Sequence, residues 1–185
     1  MTKGKVDVSG LIMSMVEKPL TPQQKAKDDA YTEMCGQLFA DPEFLPLAVE
    51  DATQAVTLYA LEKALLTREN KAKDGYQEIE IQGKKVYASK EEIEMRDSIK
   101  EIRKGVQEFM QHRANEFFMD NGVCDPKDVP GLYEKLNKIL EKNENQIKKT
   151  VMEGGSLSSN DNTQAIGLPA PIIAANLSAK SQLEI

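Results

Sequence analysis

"SKEEIEMRDSIKEIRKGVQEFMQHRANEFFMDNG", residues 89–122, decides the architecture because it is too long and too regular to be anything but one extended helix. Ser89 with Glu92 three residues later forms a capping box, which fixes where the helix opens. Met95, Ile99, Ile102, Val106, Phe109, Met110, Ala114, Phe117 and Phe118 then recur along one side until Asn121-Gly122 ends the run. About thirty residues at 1.5 Å each make a helix roughly 45 Å long. A compact domain of this size does not need such a length. It predicts a helix that packs side by side with a second helix and with copies of itself.

That second helix follows directly. After "DNGVCDPKD" comes "VPGLYEKLNKILEKNENQI", where Asp128 is a candidate cap and Pro130 sits in the first turn. Leu132, Tyr133, Leu136, Ile139, Leu140, Ile147 and Val151 form its apolar stripe, and Gly154-Gly155 stop it. Upstream, Thr21, Pro22 and Gln24 spell another helix start. Tyr31, Met34, Cys35, Leu38 and Phe39 give its stripe. Asp41-Pro42 ends this helix and caps the next, whose broad apolar face runs from Phe44 to about Arg68.

In "YQEIEIQGKKVYAS" the period changes to two, with Gln82-Gly83 as a tight turn. A two-residue loop sets Ile79 opposite Val86 and Glu80 opposite Lys85. The predicted fold is mainly α: two shorter helices, a small β-hairpin near residues 76–88, then a long antiparallel helical hairpin, with a flexible C-terminal tail, the whole forming a ring-shaped oligomer. Residues 1–20 are expected to be an N-terminal arm, 21–153 the helical oligomerisation domain and 154–185 the tail.

Composition agrees with helices: 40% of residues are hydrophobic but only 5% aromatic, and there is no Trp. The formal charge of −6 argues against nucleic-acid binding through overall charge, so a DNA contact would need segregated Lys and Arg. Cys35 and Cys124 belong to no Cys-x-x-Cys pattern and read as free thiols in a reducing cytoplasm. The apolar patch Leu11–Val16 is too short for a secretion signal or a membrane span, so no membrane partner is expected.

Catalytic chemistry finds few parts. "MEGGSLSS" has glycines without the Lys of a phosphate-binding loop. His112 is the only histidine, which removes the usual parts of metal sites and Ser/His/Asp catalysis. Carboxylate pairs such as Glu91-Glu92 fit solvated helix faces. No catalytic residue, metal or cofactor is expected, and the chain reads as a non-enzyme.

Two basic rows stand out. Arg96, Lys100 and Arg103, with Lys104, fall on nearby angles of the long helix. Lys135, Lys138, Lys142 and Lys149 follow helical spacing on the last helix, with Lys148 beside them. Such rows can neutralise DNA phosphates. Glu101, Glu134, Glu141 and Glu144 interleave with them, and ordinary solvated faces remain the alternative. The tail insert "IGLPAPIIAANL", with Ile166, Leu168, Ile172, Ile173 and Leu177, reads either as a docking peptide or as a mildly hydrophobic terminus.

"VPGLYEKLNKILEKNENQIKK" resembles a stretch of the small terminase subunits (DNA maturase A) of short-tailed phages that infect enteric bacteria. The likeness lies in Pro130, Leu132, Tyr133, Leu136, Asn137, Lys138, Ile139, Leu140, Gln146 and Ile147, and the preceding "FMQHRANEFFMDNG" is similar to the family's antecedent helix. It covers residues 106–149. The resemblance implies a non-enzymatic packaging factor in the host cell cytoplasm that forms a homo-oligomeric ring. Such a factor binds double-stranded viral DNA and recruits the large terminase subunit, for which the tail insert would be the docking peptide. A second resemblance, over residues 47–103, is architectural. Helix, hairpin with "GKKVYAS", then helix is similar to the head-completion proteins beneath a phage portal. A helical scaffold or adaptor unrelated to phages is the third reading.

Overall fold

The computed structural model describes residues 19–121 and 125–154. They form α1 (Pro22–Phe39), α2 (Phe44–Thr67), β1 (Tyr76–Ile81), β2 (Lys84–Ser89), α3 (Lys90–Asp120) and α4 (Val129–Glu153). The chain is mainly helical with one small antiparallel hairpin, as its periodicities predict. It has two compact units, residues 1–30 and 31–185. Of the first, the described part is the opening of α1. There Thr21 Oγ1 accepts from the Gln24 amide at 3.3 Å and Gln24 Oε1 accepts from the Thr21 amide at 2.9 Å, a complete capping box.

Within the second unit, Asp41 ends one helix and starts the next. Its Oδ1 accepts the amides of Glu43 (3.0 Å) and Phe44 (2.9 Å), while its own amide donates to Leu38 O at 3.0 Å. This corner folds α1 against α2, with Phe39 edge-on to Phe44 at 5.3 Å.

α2 is the hub of this unit. Phe44, Ala48, Ala52, Ala55, Val56, Leu58, Tyr59 and Leu65 are all buried, so the helix is apolar around most of its circumference. The three alanines let neighbouring backbones approach closely. α3 and α4 each pack along α2, and this differs from the expected pairing of the last two helices mainly with one another. They do run antiparallel and meet through side chains: Phe118 lies edge-on to Tyr133 at 5.6 Å, and Arg103 reaches Glu144.

The single stripe expected on α3 divides in two. Ile99, Met110, Ala114 and Phe118 are buried, whereas Met95, Ile102 and Phe109 are 56%, 48% and 66% exposed. Nine apolar residues span too wide an arc for the one face that α2 covers.

The hairpin has the expected register, Ile79 opposite Val86 and Glu80 opposite Lys85. Gln82 (φ 51°) and Gly83 (φ 74°) both take positive φ, the signature of a two-residue type I′ turn. Lys85 Nζ nevertheless bridges diagonally, to Glu78 at 2.7 Å. An isolated hairpin is marginal. Here Ile81, Val86 and Ala88 pack on Leu65, with Leu61, Leu66 and Ile93 around them. Ser89 completes the second capping box with Glu92. The same Glu92 carboxylate holds Arg68, whose guanidinium also donates to Tyr87 O. One ion pair thus ties the end of α2 to β2 and to the start of α3.

At the start of α4, Asp128 carries no side-chain cap bond. Its Oδ1 instead accepts the Tyr31 hydroxyl at 2.8 Å. Gly131 makes room for that tyrosine, because a Cβ there would come within 2.6 Å of Tyr31 Cε2. Gly154, in the left-handed region at φ 70°, ends the helix as expected.

Candidate nucleic-acid interface

The two basic rows have different fates. On α3, Arg96 Nε donates to Glu62 Oε1 at 2.8 Å, with both side chains largely buried. Arg103 is only 7% exposed and grips Asp51 through Nε (3.1 Å) and Nη2 (3.3 Å), and Glu144 through Nη1 (3.3 Å). Burial alone would lower its proton affinity; the Asp51 hydrogen bonds and the charges of Asp51 and Glu144 more than offset this and raise it. Burial pulls the Glu144 carboxyl upward, but the Tyr59 hydroxyl and the Arg103 charge outweigh it and hold the carboxyl below its ordinary value. Arg96 and Arg103 are therefore internal braces between helices. Of the α3 row, Lys100 and Lys104 are exposed.

The α4 candidates stay near the surface. Lys135 is half-buried, and Lys138 is exposed with Nζ 2.6 Å from Glu134. Lys142 and Lys149 are exposed. Lys148 is half-buried with its Nζ 5.6 Å from the centre of the Tyr59 ring, a cation–π contact.

At the C-terminal end of α4 the structure assembles a groove of about 430 Å³. Lys63, Leu66 and Thr67 of α2 form one wall, and Asn145, Lys148, Lys149, Met152 and Glu153 of α4 form another. The hairpin contributes Gln82 and Lys84, placed there by the type I′ turn. Four lysines and one glutamate, Glu153, thus line it. None of Lys63, Lys84, Lys148 and Lys149 has a carboxylate within ion-pair distance among the described residues. The groove between α3 and α4 has the opposite character, with Asp51, Glu141 and Glu144 along it. Chemically, the first suits phosphate groups held by charge and the second repels them.

Lys63 and Lys84 were not among the residues singled out from the sequence. One lies near the C-terminal end of an apolar helix and the other beside a turn, and no linear spacing relates them to Lys148.

Ile166, Leu168, Ile172, Ile173 and Leu177 lie outside the described residues, as do the patch Leu11–Val16 and Cys124. Cys35 is buried beside α4, and burial pushes its thiol up to about 11, so it stays protonated. His112 is exposed, 3.5 Å from Glu116. Among the described residues no cluster of three or more His, Cys, Asp or Glu could hold a metal ion. No described helix is long and apolar enough to cross a membrane. Compared with known proteins, the chain matches no family model, no curated protein and no solved structure.

Proposed function

We propose that the chain is a non-enzymatic DNA-packaging factor of the small-terminase kind, acting in the host cell cytoplasm. It binds the backbone of double-stranded viral DNA, assembles with copies of itself into a ring, and delivers the DNA to a large terminase subunit that carries the motor. Two things support this reading: the resemblance of residues 106–149 to that family, and the groove. The observation that carries it is the groove, where Lys63, Lys84, Lys148 and Lys149 gather with no carboxylate in ion-pair range among the described residues, in a chain whose net charge is −6. Lys135, Lys138, Lys142 and Lys100 extend the DNA-facing set, whereas Arg96 and Arg103 leave it because carboxylates already hold them. Contacts of this type address phosphates and not base edges, so binding is sequence-independent and falls steeply with salt. Ile166–Leu177 is the segment proposed to dock on the large subunit.

The hairpin that runs straight into α3 through Ser89 favours a second reading, a head-completion protein of the phage portal. Purified particles and a binding titration separate the two. A packaging factor is absent from finished virions and binds duplex DNA with a steep salt dependence. A head-completion protein is present in virions at ring stoichiometry. Retention in virions together with salt-insensitive or absent DNA binding rejects the packaging role.

A further inference from the structure

The large hydrophobic side chains left exposed among the described residues are Leu20, Met95, Ile102, Phe109 and Met119. The last four all lie on α3, and their spacing is not random. Met95, Ile102 and Phe109 recur every seven residues. Ser98, Gly105, His112 and Met119 form a second seven-residue series three positions on. Two interleaved series of this kind are the a and d positions of a coiled-coil seam. This seam lies apart from the face that Ile99, Arg103, Met110 and Ala114 turn toward α2. A helix buried on one side by its own chain thus carries a second seam on exposed surface, apolar at Met95, Ile102, Phe109 and Met119 and interrupted at the next a position by Glu116.

We infer that this seam pairs with the same seam of a second copy, antiparallel, across a twofold axis level with Gln107. The reason is size. A Cβ added at Gly105 would meet nothing within 4 Å, and a surface groove of about 360 Å³ lies there between Ser98, Ile102, Val106 and Phe109. The antiparallel register sets each Phe109 over the partner subunit's Gly105. It also sets Met95 over the partner subunit's Met119 and Ile102 over the partner subunit's His112. Every layer then joins one a residue to one d residue, and the largest side chain meets the smallest. A parallel register stacks Phe109 on Phe109 and Gly105 on Gly105, which crowds one layer and leaves the next hollow.

The acidic row Glu94, Glu101 and Glu108 runs along one flank of the seam. Near the axis, Glu108 faces its own copy, a like-charge contact that limits affinity. The contact is isologous and closes at two copies, so a cyclic ring needs a further surface. The pairing stands independently of DNA binding.

Sedimentation velocity on the full chain tests the surface. The chain is expected to be a dimer or a multiple of one. Phe109→Glu should weaken association at least tenfold without changing the helical circular dichroism, because Phe109 is 66% exposed and outside the core. Gly105→Leu should also weaken association by filling the socket, yet raise the melting temperature of the dilute chain, since Gly is a poor helix former. Glu108→Gln should tighten it.

A short bismaleimide linker tests the register in a Cys124→Ser background. Glu108→Cys should cross-link between copies. Glu94→Cys, on the same flank but about 40 Å from its symmetry mate in this register, should not. Cross-linking of both variants would show a parallel pair. A monomeric wild-type chain, or association that Phe109→Glu leaves unchanged, would show that something other than α3 of a second copy covers the seam. Any of these three results overturns the proposal.

Discussion

Arg103 and Lys148 both belong to rows of cations on amphipathic helices, and the folded chain uses them in opposite ways. Arg103 is closed in by Asp51 and Glu144. Lys148 lines an open groove with Lys63, Lys84 and Lys149 and no carboxylate in ion-pair range among the described residues. What separates them is the helix across the way. α2 places Asp51 and Glu62 opposite the α3 arginines, but on a different face places Lys63, the residue after Glu62, in the groove with Lys148 and Lys149. A basic row on one helix therefore says little about function until the opposite wall is known. Where the wall is acidic the row braces the fold, and where it is basic the row has no carboxylate in ion-pair range among the described residues.

The largest expected effect lies on the braced side. Arg103→Ala leaves Asp51 and Glu144 without their shared cation in a mostly buried place, which should cost about 3–5 kcal/mol of folding stability. The measurement is urea denaturation, with the DNA salt slope taken on the folded fraction. A large stability loss with an unchanged slope sharpens the contrast. A reduced slope would break it by making Arg103 a DNA contact.

Asp41 should come next. It combines a capping role with an ion pair to Arg113 at 2.8–3.0 Å, and Asp41→Ala should cost roughly 2–3 kcal/mol. The Arg113 hydrogen bond, against the pull of burial and with help from the Phe44 and Glu43 amides, holds the Asp41 carboxyl down to about 2. A depressed folded-state value means that the stabilisation is fully present above about pH 4 and is lost as pH falls toward 2. Denaturation curves at pH 5 and pH 2.5 check this. Asp41→Asn should remove part of the acid-induced loss; a pH dependence identical to wild type would mean that the pair contributes nothing.

On the open side, stability should hardly move. Replacing Lys63, Lys84, Lys148 and Lys149 together by Gln should leave the unfolding free energy within about 0.5 kcal/mol of wild type, measured by urea denaturation. A cooperative loss of folding would mean that these lysines are structural after all. The smallest effect is expected at Lys138→Gln. Its partner Glu134 is solvent-exposed, and a surface pair of this kind contributes little to stability.

Much of the fold can be read from local chemistry. Thr21 with Gln24 and Ser89 with Glu92 mark two helix starts, and Gln82-Gly83 fixes the register that pairs Ile79 with Val86. These signals span a few residues, so the sequence carries them directly. The hub role of α2 is not legible in that way. Its apolar residues cover most of the circumference, and periodicity cannot say which partner takes which side. The candidate site divides similarly. Lys148 and Lys149 belong to a visible row, but Lys63 and Lys84 join them only through the packing of α2 and the hairpin. The carboxylates that claim Arg96 and Arg103 sit more than thirty residues away in the chain. Spatial neighbours separated that far leave no mark in a linear pattern.

The most direct test of the open groove is the affinity for a duplex DNA of mixed sequence, measured between about 50 and 200 mM salt for the wild-type chain and the four-lysine variant. The wild type should bind with a steep negative slope of log affinity against log salt. The variant should bind roughly tenfold or more weakly, with the slope reduced by about one for each lysine that touches a phosphate. Identical affinity and slope in the two proteins would contradict the assignment of this groove to DNA.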